Sequence, residues 1–269
     1  MFTYGRYDTP IDPTSPTHHM VPRVATSATP RVQRRTRRVA GLTREKVAAA
    51  ALDLLDREGL DGFTMRLLAA DLGVQVGALY VHVRDKETLL ADVTELILGE
   101  IELPADEDWL AWLRSLAHTY RSVLHQHART AQLMSGQLVS NSAHDFPVVE
   151  GALAALARGG FTGQRLTDAY DAYVGWLIGF VGVELAPGPP PESDWARARK
   201  RELRAVDATL YPTIAANLAL LRGSFGLRWR NGIDAPMDHA FEASLAILTD
   251  GLAQNARQSR AATRRASRG

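Results

Sequence analysis

Apolar residues in the first third of the chain recur at helical spacing in short bursts, each opened by a residue that caps helices. Val47, Ala50, Ala51, Leu54 and Leu55 follow Thr43 at intervals of one, three and four, which predicts a first helix with Thr43 as its N-cap. Leu42 and Val47 flank that cap as a hydrophobic staple. Gly59 is expected to close the helix, and after Leu60-Asp61-Gly62-Phe63 the chain reaches a second cap at Thr64, with Phe63 and Leu68 as its staple. The second helix, Met65 to about Leu72, ends at Gly73, and a third runs from Gln75 to about Val83. Asp85 caps a fourth that carries Leu89, Leu90, Val93, Leu96 and Ile97. Helices this short are marginal alone, so Ala69, Leu72, Val74, Leu79 and Val83 are predicted to pack against the first and fourth.

A short helix, a glycine turn and a second short helix form the layout of a helix-turn-helix DNA reader. Beyond a hinge at Glu102-Leu103-Pro104-Ala105 the pattern stays helical. Leu110, Leu113, Leu116, Ala117, Tyr120 and Leu124 share one face of a long helix that starts after Asp106-Glu107-Asp108, acids suited to a helix N-terminus. Val148 to Arg158 is a helix ended by Gly159-Gly160, and Leu166 to Ala186 is the most apolar helix of the chain. On that helix Tyr170, Tyr173, Trp176 and Phe180 stand three and four apart, with Glu184 one turn further. Such a stripe suits a pocket for a flat, cationic or polyhydroxylated molecule, although helical stripes of aromatics are more often plain core. Pro187 to Pro191 must leave the helix. Two helices follow, about Ala205 to Arg222 and Pro236 to Ala256, the latter with a narrow seam of Phe241, Leu245, Leu248 and Leu252. The predicted class is all-α: a three-helix reading domain joined by a fourth helix to a larger effector-binding and dimerisation domain. The expected boundaries are a disordered basic arm over 1–40, the reader over 41–101, the helical body over 102–256 and a disordered basic tail over 257–269.

Charge changes this picture. The net +1 conceals +6 over residues 1–46, +5 over 257–269 and −10 between them. Thr43 to Leu98 holds six Lys/Arg against ten Asp/Glu. DNA affinity normally comes from phosphate neutralisation, so the reader is electrostatically underpowered alone. The cluster Arg31, Arg34, Arg35, Arg37 and Arg38 just before it is the expected remedy, an arm that tracks the backbone or the minor groove. The competing view is a disordered solubilising arm. Zero cysteines exclude disulfides, no apolar run is long enough to span a bilayer, and no secretion core precedes the reader, so the expected address is cytoplasmic. No GxSxG, HExxH, P-loop or GxGxxG motif is present and the histidines are scattered, so neither an enzyme, a metal site nor a cofactor is expected.

The run GFTMRLLAADLGVQVGALYVHVRDKETLL resembles the signature of the tetracycline-repressor (TetR) family of one-component bacterial regulators. Its most diagnostic part is Leu79-Tyr80-x-His82-Val83-x-x-Lys86 followed by Leu89-Leu90. Weaker similarity continues through EDWLAWLRSLAHTYRSVLHQH, GGFTGQRLTDAYDAYVGWLIGFVGVE and FEASLAILTDGL. The resemblance implies a homodimer with two reading heads on a palindromic operator, released when a small hydrophobic or aromatic effector binds the body. It also implies a pocket among Trp112, Tyr120, Met134, Gln137, Asn141, Tyr173, Trp176, Phe180 and Glu184. Paired late helices form a four-helix bundle across the dimer in that family, which assigns the Phe241, Leu245, Leu248 and Leu252 seam to the interface; packing within one subunit is the competing reading. The family's founding pattern has Gln-Pro-Thr where this chain has Val76-Gly77-Ala78, so the operator sequence is not inherited. Nor is a tetracycline–magnesium site, because the matching positions carry no histidine.

Within the reader, Gln75, Val76, Gly77 and Ala78 are expected at base edges, where Gln pairs with adenine and Ala touches a thymine methyl. Arg66 is the candidate guanine contact. Thr43 and Thr64 suit phosphates at helix N-termini, while Tyr80, His82 and Lys86, with Arg37 and Arg38 in the arm, suit the backbone. A helical DNA-binding protein without effector control, architectural or constitutively repressing, is the alternative.

Overall fold

A computed structural model describes residues 41–105, 108–131, 133–134, 146–188, 192–221 and 236–266. The basic arm with Arg37 and Arg38, the pocket candidates Gln137 and Asn141, and Pro189 to Pro191 lie outside the described residues. Among those described the regular elements are all helices: α1 (Arg44–Gly62), α2 (Met65–Asp71), α3 (Val76–Leu79), α4 (Lys86–Gly99), α5 (Trp109–Gln126), α6 (Phe146–Gly159), α7 (Gln164–Glu184), α8 (Asp194–Arg204), α9 (Pro212–Leu221) and α10 (Asp238–Ala266).

The head helices start where a side chain takes up a free backbone N–H. Thr43 Oγ1 accepts from Lys46 at 3.3 Å, Thr64 Oγ1 from Leu67 at 3.1 Å and Asp85 Oδ1 from Thr88 at 2.7 Å. α2 stops in a Schellman turn, with Gly73 N–H on the Ala70 carbonyl at 3.1 Å and Val74 N–H on that of Ala69 at 2.9 Å. Gly73 has φ +66°, a conformation that costs a side chain strain. α1 packs on α4 and α2 on α3. Val47, Ala51, Leu55, Leu68, Leu79, Leu89, Val93 and Ile97 close the core between them, all fully buried. Arg44 adds a two-pronged bond to Asp92 at 2.8 and 2.6 Å.

In the body, α5 packs on α6, α7 and α10. The Trp112 indole N–H donates to the Pro104 carbonyl at 2.9 Å, tying the hinge to α5. Its ring lies so close to α6 that a Cβ at Gly151 would approach it to 2.6 Å, which is why that helix carries glycine there. Tyr173 donates from α7 to the Leu113 carbonyl at 2.6 Å.

Several expectations change. Phe241, Leu245 and Leu252 are buried inside their own subunit and the half-buried Leu248 packs against the same core, the arrangement that packing within one subunit predicts. The Phe241 ring sits 5.4, 5.5 and 5.4 Å from those of His118, Trp176 and Phe180. An apolar seam serves one partner, and α5 and α7 occupy this one. The tail expected to be disordered from 257 continues α10 to Ala266, since Arg, Gln and Ala favour helix and neither Gly nor Pro interrupts them. α3 spans one turn, Val76–Leu79, where Gln75 to Val83 was expected, because the chain tightens into successive turns from Tyr80. α1 loses helical geometry at Gly59 (φ +75°, ψ 173°) as expected, but adds a further turn through Gly62. The helix expected over 205–222 begins at Pro212, after a turn in which the Asp207 carboxylate accepts from Thr209 N–H at 2.7 Å. α8 precedes it, capped by Ser193, whose hydroxyl accepts from Ala196 N–H at 3.2 Å.

Candidate functional site

The head's core arrangement decides which way its polar residues point. Met65, Leu68 and Ala69 turn inward on α2, which leaves Thr64 and Arg66 exposed on the other side. Leu79 is the buried anchor of α3, and around it Gln75 and Gly77 are exposed while Val76 and Ala78 are half-buried. The Gln75 side chain makes no capping bond to α3. Tyr80 is 50% exposed, so its ring is no part of the core, and His82 is half-buried. Val81, which the sequence reading passed over, is 79% exposed between them.

Lys86 is not free in solution. Its ammonium donates to the Phe63 carbonyl at 3.2 Å and lies 5.3 Å from the centre of the Phe63 ring. This fixes a positive charge one residue from Thr64, at the N-terminal end of α2, where backbone N–H groups also face outward. Asp85, one residue before Lys86, accepts from Thr88 and Arg84, and these bonds hold its carboxyl down at about 2.

In the body, the candidate pocket residues are mostly the core itself. Trp112, Tyr120, Met134, Tyr173 and Phe180 are buried, and Trp176 is half-buried with its ring 6.5 Å from Tyr173 and 5.9 Å from Phe180. The Trp176 indole N–H is shielded from water and has no hydrogen-bond partner among the described residues. Glu184 is 0% exposed. Its oxygens accept from Arg121 at 2.9 and 2.7 Å and from Met237 N–H at 2.7 Å, with His125 Nε2 at 3.2 Å. Burial alone would push this carboxyl up, but Arg121, His125 and the Met237 N–H outweigh it and hold it far below the usual carboxylate range. The carboxylate expected to meet a cationic ligand is therefore already neutralised from inside.

A second ionic cluster joins body to head. His127, just past α5, places Nδ1 2.7 Å from Asp56 Oδ2 of α1 and Nε2 3.1 Å from Glu100 Oε2 at the end of α4. Thr130 donates to the other Asp56 oxygen at 2.8 Å, and Arg129 donates to the Arg57 carbonyl. α10 runs the other way: Asp238 at its start meets Arg121, and Thr249, further along, meets Arg114, which is further from the His127 end of α5. The basic end of α10 thus rises away from the head.

A capped helix pair with exposed readers, carried on a separate helical body, defines a helix-turn-helix DNA-binding regulator. Residues 47–93 match the family model of bacterial regulatory proteins of the tetR family, and 103–256 that of the tetracyclin repressor-like C-terminal domain. The class A tetracycline repressor from transposon 1721 of Escherichia coli is 34% identical over 212 residues, covering 77% of this chain and 89% of that protein. An HTH-type transcriptional regulator of Saccharopolyspora erythraea is 31% identical over 209 residues, covering 76% and 85%. Among solved structures, the Streptomyces coelicolor TetR family protein ActR in complex with actinorhodin superposes with a TM-score of 0.62 at 25% identity, over 81% of this chain and all but 1% of the other. The chain belongs to the TetR family of transcriptional regulators. Among the described residues no helix is long and apolar enough to cross a membrane.

Proposed function

We propose that this regulator is a homodimeric repressor that holds a palindromic operator with the α2–α3 readers and releases it when a small apolar or aromatic effector enters the body between α5 and α7. The observation that carries the reading is the exposure of Arg66, Gln75, Gly77, Tyr80 and Val81 on one capped, core-anchored helix pair. Arg66 and Gln75 read base edges, Val81 and Ala78 offer apolar contact to thymine methyls, and Thr43, Thr64, Tyr80, His82 and the fixed charge of Lys86 hold phosphates. Arg37 and Arg38 add the phosphate neutralisation that the acidic head lacks. The units are the reader of 41–101 and the body of 102–256.

The dimer face assigned here is the outer side of α7 and α10. Ala172, Gly175 and Gly179 line the exposed side of α7 up to Val183, and a Cβ at either glycine would meet nothing within 4 Å. Those glycines serve no packing within the subunit and leave room for a second helix to approach closely. Ile247 on α10, 74% exposed and opposite the buried seam, completes the face.

The relative ActR is described in complex with actinorhodin, which supports an aromatic effector; the internal neutralisation of Glu184 disfavours a cationic one. Footprinting of the intergenic DNA beside the protein's own gene is the test: a protected two-fold sequence is expected, lost in Arg66→Ala. Complete burial of Tyr173 and Met134 favours the second reading, a DNA-binding protein without effector control. Thermal-shift screening against aromatic antibiotics separates the two, since only the effector-controlled protein is stabilised.

A further inference from the structure

Where the head meets the body, one imidazole faces two carboxylates, with Thr130 and Arg129 tied to α1 beside it. We propose that His127 is a proton-dependent latch that fixes the reading head on the effector body, so that protonation is a second input to the regulator beside its effector. This rests on α1–α4 being the DNA-reading head.

The argument starts from the number of donors. An imidazolium has two N–H groups and satisfies both of its partners, Asp56 from α1 at 2.7 Å and Glu100 from the end of α4 at 3.1 Å. A neutral ring has one N–H and one lone pair, so one carboxylate would face a lone pair at hydrogen-bond distance. That contact is repulsive and one bridge must open. The other charged groups nearby are engaged elsewhere. Arg57 of α1 pairs with Asp71 at 2.9 Å, Arg129 reaches the Arg57 carbonyl, and His125, two residues before His127, faces Glu184. Among the described residues the two carboxylates are thus the charges that face the ring.

Burial presses the ring toward neutrality, but its bonds to Asp56 and Glu100 more than offset this and hold His127 above the ordinary histidine range. A group with a raised folded value contributes fully below its unfolded value, about 6.5 for histidine, and loses that contribution as pH rises through the folded value. The latch is therefore closed in mild acid and opens as pH rises above the ordinary histidine range. Its position gives the opening a consequence: the ring stops bridging α1 and α4, which together hold α2 and α3, and the Thr130 and Arg129 bonds that remain reach α1 alone.

The chain contains no cysteine, so Ala70→Cys on α2 and Glu150→Cys on α6, both exposed, provide the only sites for a pair of spin labels. Full-length labelled chain, mixed with excess unlabelled chain so that each measured pair lies within one molecule, is examined by pulsed dipolar spectroscopy at pH 5.5 and 9. A single narrow distance is expected at pH 5.5 and a broadened or shifted distribution at pH 9. His127→Gln should give the pH 9 distribution at both values. Glu100→Gln, at a more exposed position, should give the pH 5.5 distribution at both, because an amide can accept from a ring N–H or donate to a ring lone pair. An unchanged wild-type distribution overturns the latch, as does a pH response in Glu100→Gln like that of the wild type. Neither DNA nor effector enters the measurement, so its failure is distinct from failure of the operator reading.

Discussion

In the head, Arg66, Gln75, Gly77 and Tyr80 stand in solvent above a core of Val47, Leu55, Leu68 and Leu79; in the body, Tyr120, Tyr173, Phe180 and Glu184 are themselves the core. The head spends its apolar residues on holding a surface still and leaves the polar ones free for a partner. The body satisfies even its buried carboxylate internally, through Arg121 and the Met237 N–H. A core-anchored reading surface and a body whose candidate pocket residues are its packed core imply that an effector must displace packing, whereas DNA need only meet a surface already present.

The largest expected effect breaks the body's side of this contrast. Glu184→Ala leaves the Arg121 guanidinium facing inward with only the exposed Asp238, and removing one partner of a buried pair costs about 3–5 kcal/mol. Urea unfolding should register it, and a loss under about 1 kcal/mol would show that the carboxylate is not structural. Phe241→Ala should cost about 3–5 kcal/mol by the same measurement. Ile247→Asp should leave unfolding nearly unchanged yet convert dimer to monomer in sedimentation; a dimer that survives Ile247→Asp places the interface elsewhere.

For the head, Arg66→Ala should weaken operator binding by about 1–3 kcal/mol with an unaltered thermal midpoint, as expected of a residue that reads rather than packs. Binding titrations on the footprinted fragment measure this, and wild-type affinity would remove Arg66 from the reader. Thr64→Ala is smaller, about 1 kcal/mol of stability from a lost cap. The smallest effect is the pH dependence of the α4 cap. Asp85 has a lowered folded value of about 2, so its contribution is present above the ordinary aspartate range and fades as pH falls toward that value. The protection of the Thr88 amide relative to its intrinsic exchange rate should fall over that acid interval and stay level between pH 6 and 8.

Local signals made the head readable. Thr43, Thr64, Asp85 and Gly73 act within three or four residues of themselves, so a linear reading finds the helices they begin and end. The body's decisive contacts are remote: Arg121 and Glu184 lie 63 residues apart and Asp56 and His127 71 apart. Periodicity marks Phe241, Leu245 and Leu252 as buried without saying against what, and the same pattern would arise from a partner subunit or from α5 and α7. It also cannot separate a ligand's wall from ordinary core at Tyr173. α8 escaped notice because Asp194–Arg204 is mostly charged and offers almost no apolar period.

One feature of α3 bears on how such a regulator changes allegiance. Gly77 lies on the exposed side of that turn, and a Cβ there would meet nothing within 4 Å. Glycine in a helix costs about 1 kcal/mol relative to alanine, so replacing it would stabilise the fold while adding a new group to the recognition surface. On the proposed reading of α3, position 77 is therefore an unwritten letter: mutation there would respell the preferred operator without trading away foldedness, and a duplicated copy of this gene would acquire new targets through that residue first.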